Sequence, residues 1–309
     1  MTELTIIIPT RNRLPSISRL FASLHLSLNR IAASFEIFVV NNGDPQNTAK
    51  ISALAKAENL EITILGPTPG KSWGLNEGLK RAKGRIICPL DDDVVVAADW
   101  AERLLEAHAS TGFDAIQGKI LPGVDPEGRP ADPTRLREYN IPMIDYGEEV
   151  REIRGLTGTN GSFKRGVFER IGFYDTRLGP GGSGFSEDTE YSMRIREAGF
   201  KIGYTPRAVV YHELDPARYG LAVKREVQYR KGLSRSVYRR DSVLFHVLPN
   251  LFAHCIRWVI YKVLGKTQKA YKTEGRILKC WGYIVGRARL LVVPRSAKPF
   301  RTLHPLGDL

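Results

Sequence analysis

Short apolar runs alternate with segments of helical periodicity over the first ninety residues. The runs at 4–9, 36–40, 61–65 and 85–90 are rich in β-branched residues, which favours buried strands. Three segments between them have apolar residues at helical spacing and predict helices: 16–28, 48–59 and 73–82. Strands and helices that alternate in this way predict βαβ units and an α/β fold with a mostly parallel sheet.

Three polar segments directly follow predicted strands. They are the loop at 9–13, the Asn-Asn-Gly-Asp turn at 41–44 and the three aspartates at 91–93. In open α/β sheets, ligands bind outside the carboxyl ends of the strands. We therefore expect the three segments to converge on one cleft.

The pattern changes after residue 121. Residues 122–155 are rich in proline, glycine and charge and predict a loop or a mobile connection. A second block begins at Gly155 and includes a glycine-rich loop at 179–184 and a strand at 208–211. The glycine-rich loop and residues 122–155 are candidates to close over a substrate and exclude water.

The aspartates at 91–93 are the first candidates for chemistry. Carboxylates at a strand end can hold Mg²⁺ or Mn²⁺ through oxygen ligands. The same residues also fit a solvated turn before a helix predicted at 98–109. His212, directly after the strand at 208–211, is a further metal ligand or an ordinary structural histidine.

A second acidic pair, Glu187-Asp188, lies before an amphipathic helix. Acidic residues are favoured in the first turn of a helix, and a carboxylate there can also serve as a general base. Lys71, Arg11 and Arg13 belong to the predicted cleft and either face a diphosphate or point to solvent.

The excess positive charge lies in the last quarter of the chain. Residues 1–223 contain 27 Lys+Arg and 29 Asp+Glu, whereas residues 224–309 contain 19 and 4. This asymmetry predicts an acidic partner for the tail, such as a membrane surface, a nucleic acid or an acidic protein. Apolar and basic residues mix at 243–264 and 277–293, and the first segment is too polar to predict a spanning helix. We expect it to lie in a membrane interface; packing on the catalytic domain or a dimer contact is the alternative.

The cysteines indicate a reducing compartment. The chain has three, Cys88, Cys255 and Cys280, without the paired spacing of a disulfide framework or a zinc site. The first residues have no basic segment followed by a long apolar run, so no signal peptide is predicted. These features favour the cytoplasm, with a peripheral position on the cytoplasmic face of a membrane.

Several motifs occur in a fixed order along residues 3–215. They are TIIIPTRNR, VVNNGD, GKSWGLNEGLKRAKGRIICPLDDDV, GTNGSFKRGVFERIGFYD, SEDTEYSMRIREAGFKIGYTP and VVYHE. The ordered set resembles the bacterial-type family 2 glycosyltransferases, which are inverting, metal-dependent enzymes with a GT-A fold. The resemblance implies a nucleotide-sugar half at 1–121, an acceptor half at 122–223 and a basic, partly amphipathic helical tail at 224–309.

The resemblance assigns roles position by position. It implies that Asp188 is the catalytic base and that Asp93, with Asp91 and His212, binds Mn²⁺ or Mg²⁺. The acceptor-side positions are Glu187, Gly158, Asn160 and Gly161. The nucleotide-sugar positions are Pro9, Thr10, Arg11, Asn41, Asn42, Lys71, Asn76, Asp91 and Asp92. The implied reaction moves a sugar from a nucleotide diphosphate-sugar to a glycan or lipid-linked acceptor, as in polysaccharide assembly.

One position departs from the family pattern. The family usually has an aspartate where this chain has Asn41-Asn42. An asparagine can accept a hydrogen bond from a base N–H but supplies no negative charge. The sequence therefore identifies the donor nucleotide less closely than the family pattern would, and UDP is the first choice.

Three other functions are compatible with parts of the sequence. A sugar nucleotidyltransferase would need a glycine-rich phosphate loop after the first strand, where this chain has PTRNRLPS. A nucleic-acid-binding protein would explain the basic tail, but the tail has no recognised binding motif. A non-catalytic scaffold is disfavoured because Asp91, Asp93 and Asp188 are present together.

Overall fold

The computed structural model describes residues 2–125, 129, 136 and 141–292. The predicted α/β alternation is present in the first half. The strands there are β1 (Leu4–Thr10), β2 (Phe35–Asn41), β3 (Thr63–Leu65), β4 (Ile86–Pro89), β5 (Val94–Val96) and β6 (Ala115–Pro122). The helices are α1 (Leu14–Leu28), α2 (Asn47–Ala57), α3 (Lys71–Arg81) and α4 (Trp100–Ser110).

The second half adds three strands and five helices among the described residues. The strands are β7 (Arg151–Ile153), β8 (Gly161–Lys164) and β9 (Ile202–His212). The helices are α5 (Arg165–Ile171), α6 (Glu187–Glu197), α7 (Leu221–Tyr238), α8 (Leu248–Val263, preceded by a π-helical turn at Val243–Val247) and α9 (Thr267–Val292). Part of the loop predicted at 122–155 and residues 293–309 of the tail lie outside the described residues.

Every strand pair is parallel in the first half of the sheet, and the second half is mixed. Its strand order is β3-β2-β1-β4-β8-β6-β9-β5, with β7 beside β9. Strands β1 to β4 pair in parallel, as do β6 and β9, whereas β8 pairs antiparallel with both β4 and β6. The two longest ladders, β1–β2 and β6–β9, are parallel, as the expectation of a mostly parallel sheet requires, and β5, β7 and β8 each enter antiparallel to a neighbour.

The side chains of β1 point alternately to the two faces of the sheet, and each face has its own apolar cluster. Ile6 and Ile8 pack on one face with residues of α1, α2 and α4, whereas Ile7 packs on the other with residues of α3, α5 and α6. The strand is buried along its whole length. Period-two alternation between two helical layers accounts for its continuous apolar run.

The C-terminal helices form a separate layer. Helices α8 and α9 are joined at 264–266 and pack side by side, and α9 also packs along α7. One face of α8 is exposed and apolar. It carries Phe245 of the preceding turn together with Leu248, Phe252, Ile256, Val259, Ile260 and Val263. The domain boundary expected at 223 falls inside α7.

By length and composition, Val243–Val263 is apolar enough to cross a membrane, which corrects the expectation that it is too polar. Most of its polar residues are uncharged, and only Arg257 and Lys262 carry a fixed charge. Its partner α9 carries several charges, among them Lys272, Glu274 and Arg276. The helix pair therefore combines an apolar segment with a charged one.

Glycines allow α7 and α9 to approach closely. A Cβ atom on Gly282 would overlap the carbonyl oxygen of Tyr229, and one on Gly232 would overlap that of Lys279. Small residues at such a crossing let two helix backbones come into contact. The position of α9 against α7 therefore depends on the absence of side chains at these two sites.

We predict that Gly282→Ala destabilises the protein. Overpacking costs about 1–3 kcal/mol, more than the roughly 1 kcal/mol that alanine gains over glycine within a helix. Urea unfolding measures the change in free energy. Gly166→Ala on α5, where a Cβ meets no atom within 4 Å, is the control and should unfold no earlier than wild type. Equal midpoints for Gly282→Ala and wild type would refute the close crossing.

Candidate active site

A cleft of about 760 Å³ opens at the carboxyl ends of β1 and β4. We call the 9–13 loop and the 91–93 segment the first wall of the cleft, and residues 157–159 with the start of α6 its second wall. Val227, Gln228 and Lys231 of α7 complete the lining. The predicted convergence of the first polar segments is therefore present in the structure, and a helix from the tail region joins them.

The three aspartates lie between β4 and β5, where the chain leaves one strand and enters the next. Asp92 and Asp93 are buried, and Asp91 is half-buried. Thr10 donates its hydroxyl to Asp92 Oδ2 at 2.6 Å. Asp93 Oδ2 accepts a hydrogen bond from Arg13 and lies 3.3 Å from a guanidinium nitrogen of Arg218. The carboxylates are thus held by groups from other elements.

Lys71, the first residue of α3, connects the two walls of the cleft. Its Nζ lies 2.5 Å from Asp91 Oδ1 and 3.3 Å from Glu187 Oε1. Burial disfavours its charged form, but the two carboxylates outweigh burial and raise the pKa of Lys71. A Cβ on Gly158 would lie 2.9 Å from the ammonium, so a side chain there would displace the end of Lys71 from its present position.

Asp91, Asp93 and His212 offer one ligand atom each within 4.8 Å of one another. The His212 side chain is only 1% exposed, and its Nδ1 lies 2.9 Å from the carbonyl oxygen of Glu213. That carbonyl can only accept, so Nδ1 carries a proton, and in the neutral ring Nε2 offers a lone pair. Nε2 is buried without a hydrogen-bond partner in the described part of the chain. Two carboxylates and a free imidazole nitrogen fit Mn²⁺ or Mg²⁺.

Burial and neighbouring charges shift the pKa values of the acidic groups in the cleft, and the direction differs between groups. Burial opposes the ionisation of Asp91, but the ammonium of Lys71 outweighs burial and holds the pKa of Asp91 below its usual range. For Asp92, burial and the neighbouring Asp93 carboxylate raise the pKa to about 7. Burial also raises the pKa of Glu187, against the attraction of Lys71. Lys71 therefore favours the charged form of both carboxylates that it contacts.

Asp188 lies in the first turn of α6 and lines the cleft. Its Oδ1 accepts the backbone N–H of Thr189 at 2.7 Å. No hydrogen-bond donor from the described residues contacts its Oδ2. Asp188 thus presents one uncommitted carboxylate oxygen at the edge of the cleft.

The glycine-rich loop at 179–184 packs against the start of α3. Lys71 donates its backbone N–H to the carbonyl of Pro180 at 2.9 Å, and a Cβ on Gly70 would lie 2.6 Å from the same oxygen. Gly179, Gly181 and Gly184 have positive φ, which a side chain would strain. The loop therefore joins Lys71 to the helix that carries Asp188.

Most of the predicted site residues come together in this cleft. The lining includes Pro9, Thr10, Arg11, Asn42, Lys71, Asp91, Asp92, Asp93, Gly158, Glu187 and Asp188. His212 lies behind Asp93, with Nε2 3.7 Å from Asp93 Oδ1. Gly161 lines a small internal cavity next to Asp188 instead of the main cleft.

Three predicted asparagines are absent from the cleft lining. Their side-chain amides form hydrogen bonds with other parts of the fold. Asn41 bonds with Gly43, Asp44 and Thr48 within its own turn. Asn76 exchanges two hydrogen bonds with the backbone of Tyr174. The fully buried Asn160 contacts Trp100 Nε1 and the carbonyls of Lys119 and Ala208.

Sequence reasoning missed Arg218 and the contribution of α7. Arg218 ends a 3₁₀ turn at Pro216–Arg218, six residues after His212. Its nearness to a predicted metal ligand was the available signal. Val227, Gln228 and Lys231 recur at helical spacing, but their segment was assigned to a separate tail. Only the packing of α7 against the cleft reveals their place.

The model of the family described as "Glycosyl transferase family 2" matches residues 5–172, which is more than half of the chain. The chain belongs to this family. The family 2 glycosyltransferase prediction is thereby confirmed, and the matched region contains Asp91–Asp93 and Gly158. Asp188 and His212 lie beyond it.

Two curated relatives illustrate the similarity. A glucosyl-dolichyl phosphate glucuronosyltransferase from Haloferax volcanii is 30% identical over 152 residues, covering 47% of this chain and 48% of the relative. The succinoglycan biosynthesis protein ExoM from Rhizobium meliloti is 27% identical over 198 residues, covering 62% and 60%. The chain thus spans only about half to three-fifths of these relatives.

A solved structure supports the GT-A fold. The mannosyltransferase from Pyrobaculum calidifontis, in complex with GDP-Man and Mn²⁺, superposes with a TM-score of 0.60. The match covers 93% of this chain and 87% of the other, at 16% identity. The predicted fold class, including helices at the C-terminus, is confirmed.

We predict that His212→Ala lowers the affinity for Mn²⁺ at least about tenfold, because it removes the one neutral nitrogen of the ligand set. Calorimetry or electron paramagnetic resonance of the purified protein measures the affinity without donor or acceptor. Asp93→Asn should show the same direction. His25→Ala on α1, outside the cleft, is the control. Wild-type Mn²⁺ affinity in a folded His212→Ala would exclude His212 as a ligand.

Proposed function

We propose that this family 2 glycosyltransferase moves a sugar from a nucleotide diphosphate-sugar to a hydroxyl of a glycan or lipid-linked acceptor. One observation carries the proposal: a single cleft has a cluster fit for a divalent cation, Asp91, Asp93 and His212, at one wall, and Asp188 with a free oxygen at the other. UDP remains the first choice of donor nucleotide. The loop after β1, which lacks glycine, gives no support to a nucleotidyltransferase.

The donor is proposed to lie along the first wall. Arg11 and Asn42 lie at the nucleotide end, beside Pro9 and Thr10. Arg13 and Arg218, both at Asp93, are the guanidinium groups that can turn to the diphosphate. When bound, Mn²⁺ or Mg²⁺ held by Asp91, Asp93 and His212 supplies positive charge that offsets the charge on the departing diphosphate.

Asp188 is proposed as the base. Its free Oδ2 takes the proton of the acceptor hydroxyl as the hydroxyl oxygen bonds to the anomeric carbon and the bond to the nucleoside diphosphate breaks. A single displacement inverts the configuration and requires no enzyme nucleophile. Gly158 lines the acceptor side of the cleft, and the buried Glu187 fixes Lys71 instead of taking this proton.

The exposed face of α8 supports attachment to a membrane. Phe245 is 82% exposed, Phe252 70% and Val263 79%, and all three lie on one helical face. Arg257, Lys262 and Lys266 lie nearby in the chain and are exposed. Apolar insertion together with basic side chains fits an anionic bilayer surface, here the cytoplasmic face. The Haloferax relative, named for a lipid-linked saccharide, is consistent with such an acceptor.

We predict that Asp188→Asn reduces kcat for transfer by roughly 10²- to 10⁴-fold while the donor still binds, because the amide cannot accept the proton. Release of nucleoside diphosphate in the presence of acceptor measures kcat, and calorimetry measures donor binding. Glu197→Gln, exposed at the end of the same helix, is the control and should match wild type. Undiminished transfer in Asp188→Asn would remove Asp188 as the base.

We predict that replacing Phe245, Phe252 and Val263 together by serine lowers binding to anionic vesicles at least about tenfold, because it removes apolar side chains that would enter the bilayer. Vesicle co-sedimentation measures binding, and circular dichroism checks folding. Leu26→Ser, an exposed apolar residue on α1, is the control. Unchanged sedimentation of the triple variant would direct attention to another surface.

A further inference from the structure

A second cavity, of about 270 Å³, lies between α7 and α9, outside the cleft. Helix α7 lines it with Lys224, Arg225 and Gln228, and helix α9 with Tyr271, Lys272 and Arg276. We name it the α7–α9 groove. None of these residues takes part in the chemistry proposed above.

The groove carries an excess of positive charge. Its one carboxylate, Glu274, pairs with Arg225 at 2.9 Å. Lys224, Lys272 and Arg276 have no acidic partner within 4 Å among residues 2–125, 129, 136 and 141–292. These three basic side chains line one groove, and its carboxylate is paired with Arg225, so they can provide several N–H donors for an anion. Phosphate, with its several acceptor oxygens, matches them best.

The groove lies between the cleft and the exposed helix. Gln228 lines both cavities, so the groove adjoins the cleft along α7. At the other side, Nζ of Lys262 on α8 lies 5.7 Å from the ring centre of Tyr271. The basic cavity is therefore interposed between the cleft and the helix that carries the exposed apolar face.

This order matches the parts of a lipid-linked saccharide, which are a sugar, a phosphate or diphosphate, and an apolar chain. We propose that the α7–α9 groove binds the phosphate or diphosphate of a lipid-linked acceptor, whose sugar enters the cleft past Gln228 and whose lipid lies towards α8. The inference rests on the proposed function. It assigns the acceptor phosphate a site separate from that of the donor diphosphate, which is proposed to face Arg13 and Arg218.

The test compares two triple variants of the full chain with the same change in charge. Lys224→Ala/Lys272→Ala/Arg276→Ala empties the groove of unpaired cations. Arg239→Ala/Arg240→Ala/Arg289→Ala removes three exposed cations of the C-terminal region that do not line the groove. Binding is measured to phosphatidylcholine vesicles that contain polyprenyl diphosphate, the neutral polyprenol or phosphatidylglycerol. No donor is added, so the result does not depend on transferase activity, and thermal melts check folding.

We expect the groove variant to lose at least tenfold in affinity for the polyprenyl diphosphate vesicles, with the matched variant close to wild type. On phosphatidylglycerol vesicles the two variants should fall equally, because that binding reflects general charge. Lys272→Glu alone should reproduce the direction of the loss. Equal losses on polyprenyl diphosphate, no loss, or a larger groove effect on phosphatidylglycerol would overturn the proposal. If binding depends on the groove but the protein turns over no nucleotide-sugar, the groove is supported as a phosphate site and the proposed function is rejected.

Discussion

The cleft depends on the neutralisation of three consecutive carboxylates at the end of β4. Asp92 and Asp93 are buried, and a buried carboxylate is stable only when a cation or hydrogen-bond donors compensate for lost hydration. Lys71 from α3, Arg13 from the first loop and Arg218 from beyond β9 supply that charge. Because each cation comes from a different part of the chain, the carboxylates hold those parts together.

The same contacts explain why the cleft has two walls of different character. Lys71 bridges Asp91 on the first wall to Glu187 on α6, and thereby fixes the helix that presents Asp188. Glu187 and Asp188 are neighbours in the chain, but one side chain is buried in an ion pair and the other has an uncommitted oxygen. One carboxylate organises the site, and the other keeps an oxygen without a hydrogen bond from the described residues.

Features set by local sequence were predictable, and features set by tertiary packing were not. Strand β1, the aspartates after β4 and the acidic start of α6 each have a local signal, and the structure brings these segments to one cleft. The amides of Asn76 and Asn160 are consumed by backbone groups about 40 to 100 residues away in the chain, which no local pattern reveals. The antiparallel entry of β8 likewise depends on long-range pairing with β4 and β6.

Helix α7 shows why the basic C-terminal segment cannot be treated as an appendage. One side of α7 lines the cleft through Val227 and Lys231, and another side meets α9 at Gly232. Since α9 in turn packs on α8, the cleft and the exposed apolar face are linked through helix contacts alone. These glycine crossings limit sliding of the two helices, because a shift would bring the side chains of neighbouring residues against the facing backbone. A bilayer that engages α8 would therefore meet the cleft at a fixed height and orientation, as an acceptor anchored in that bilayer requires.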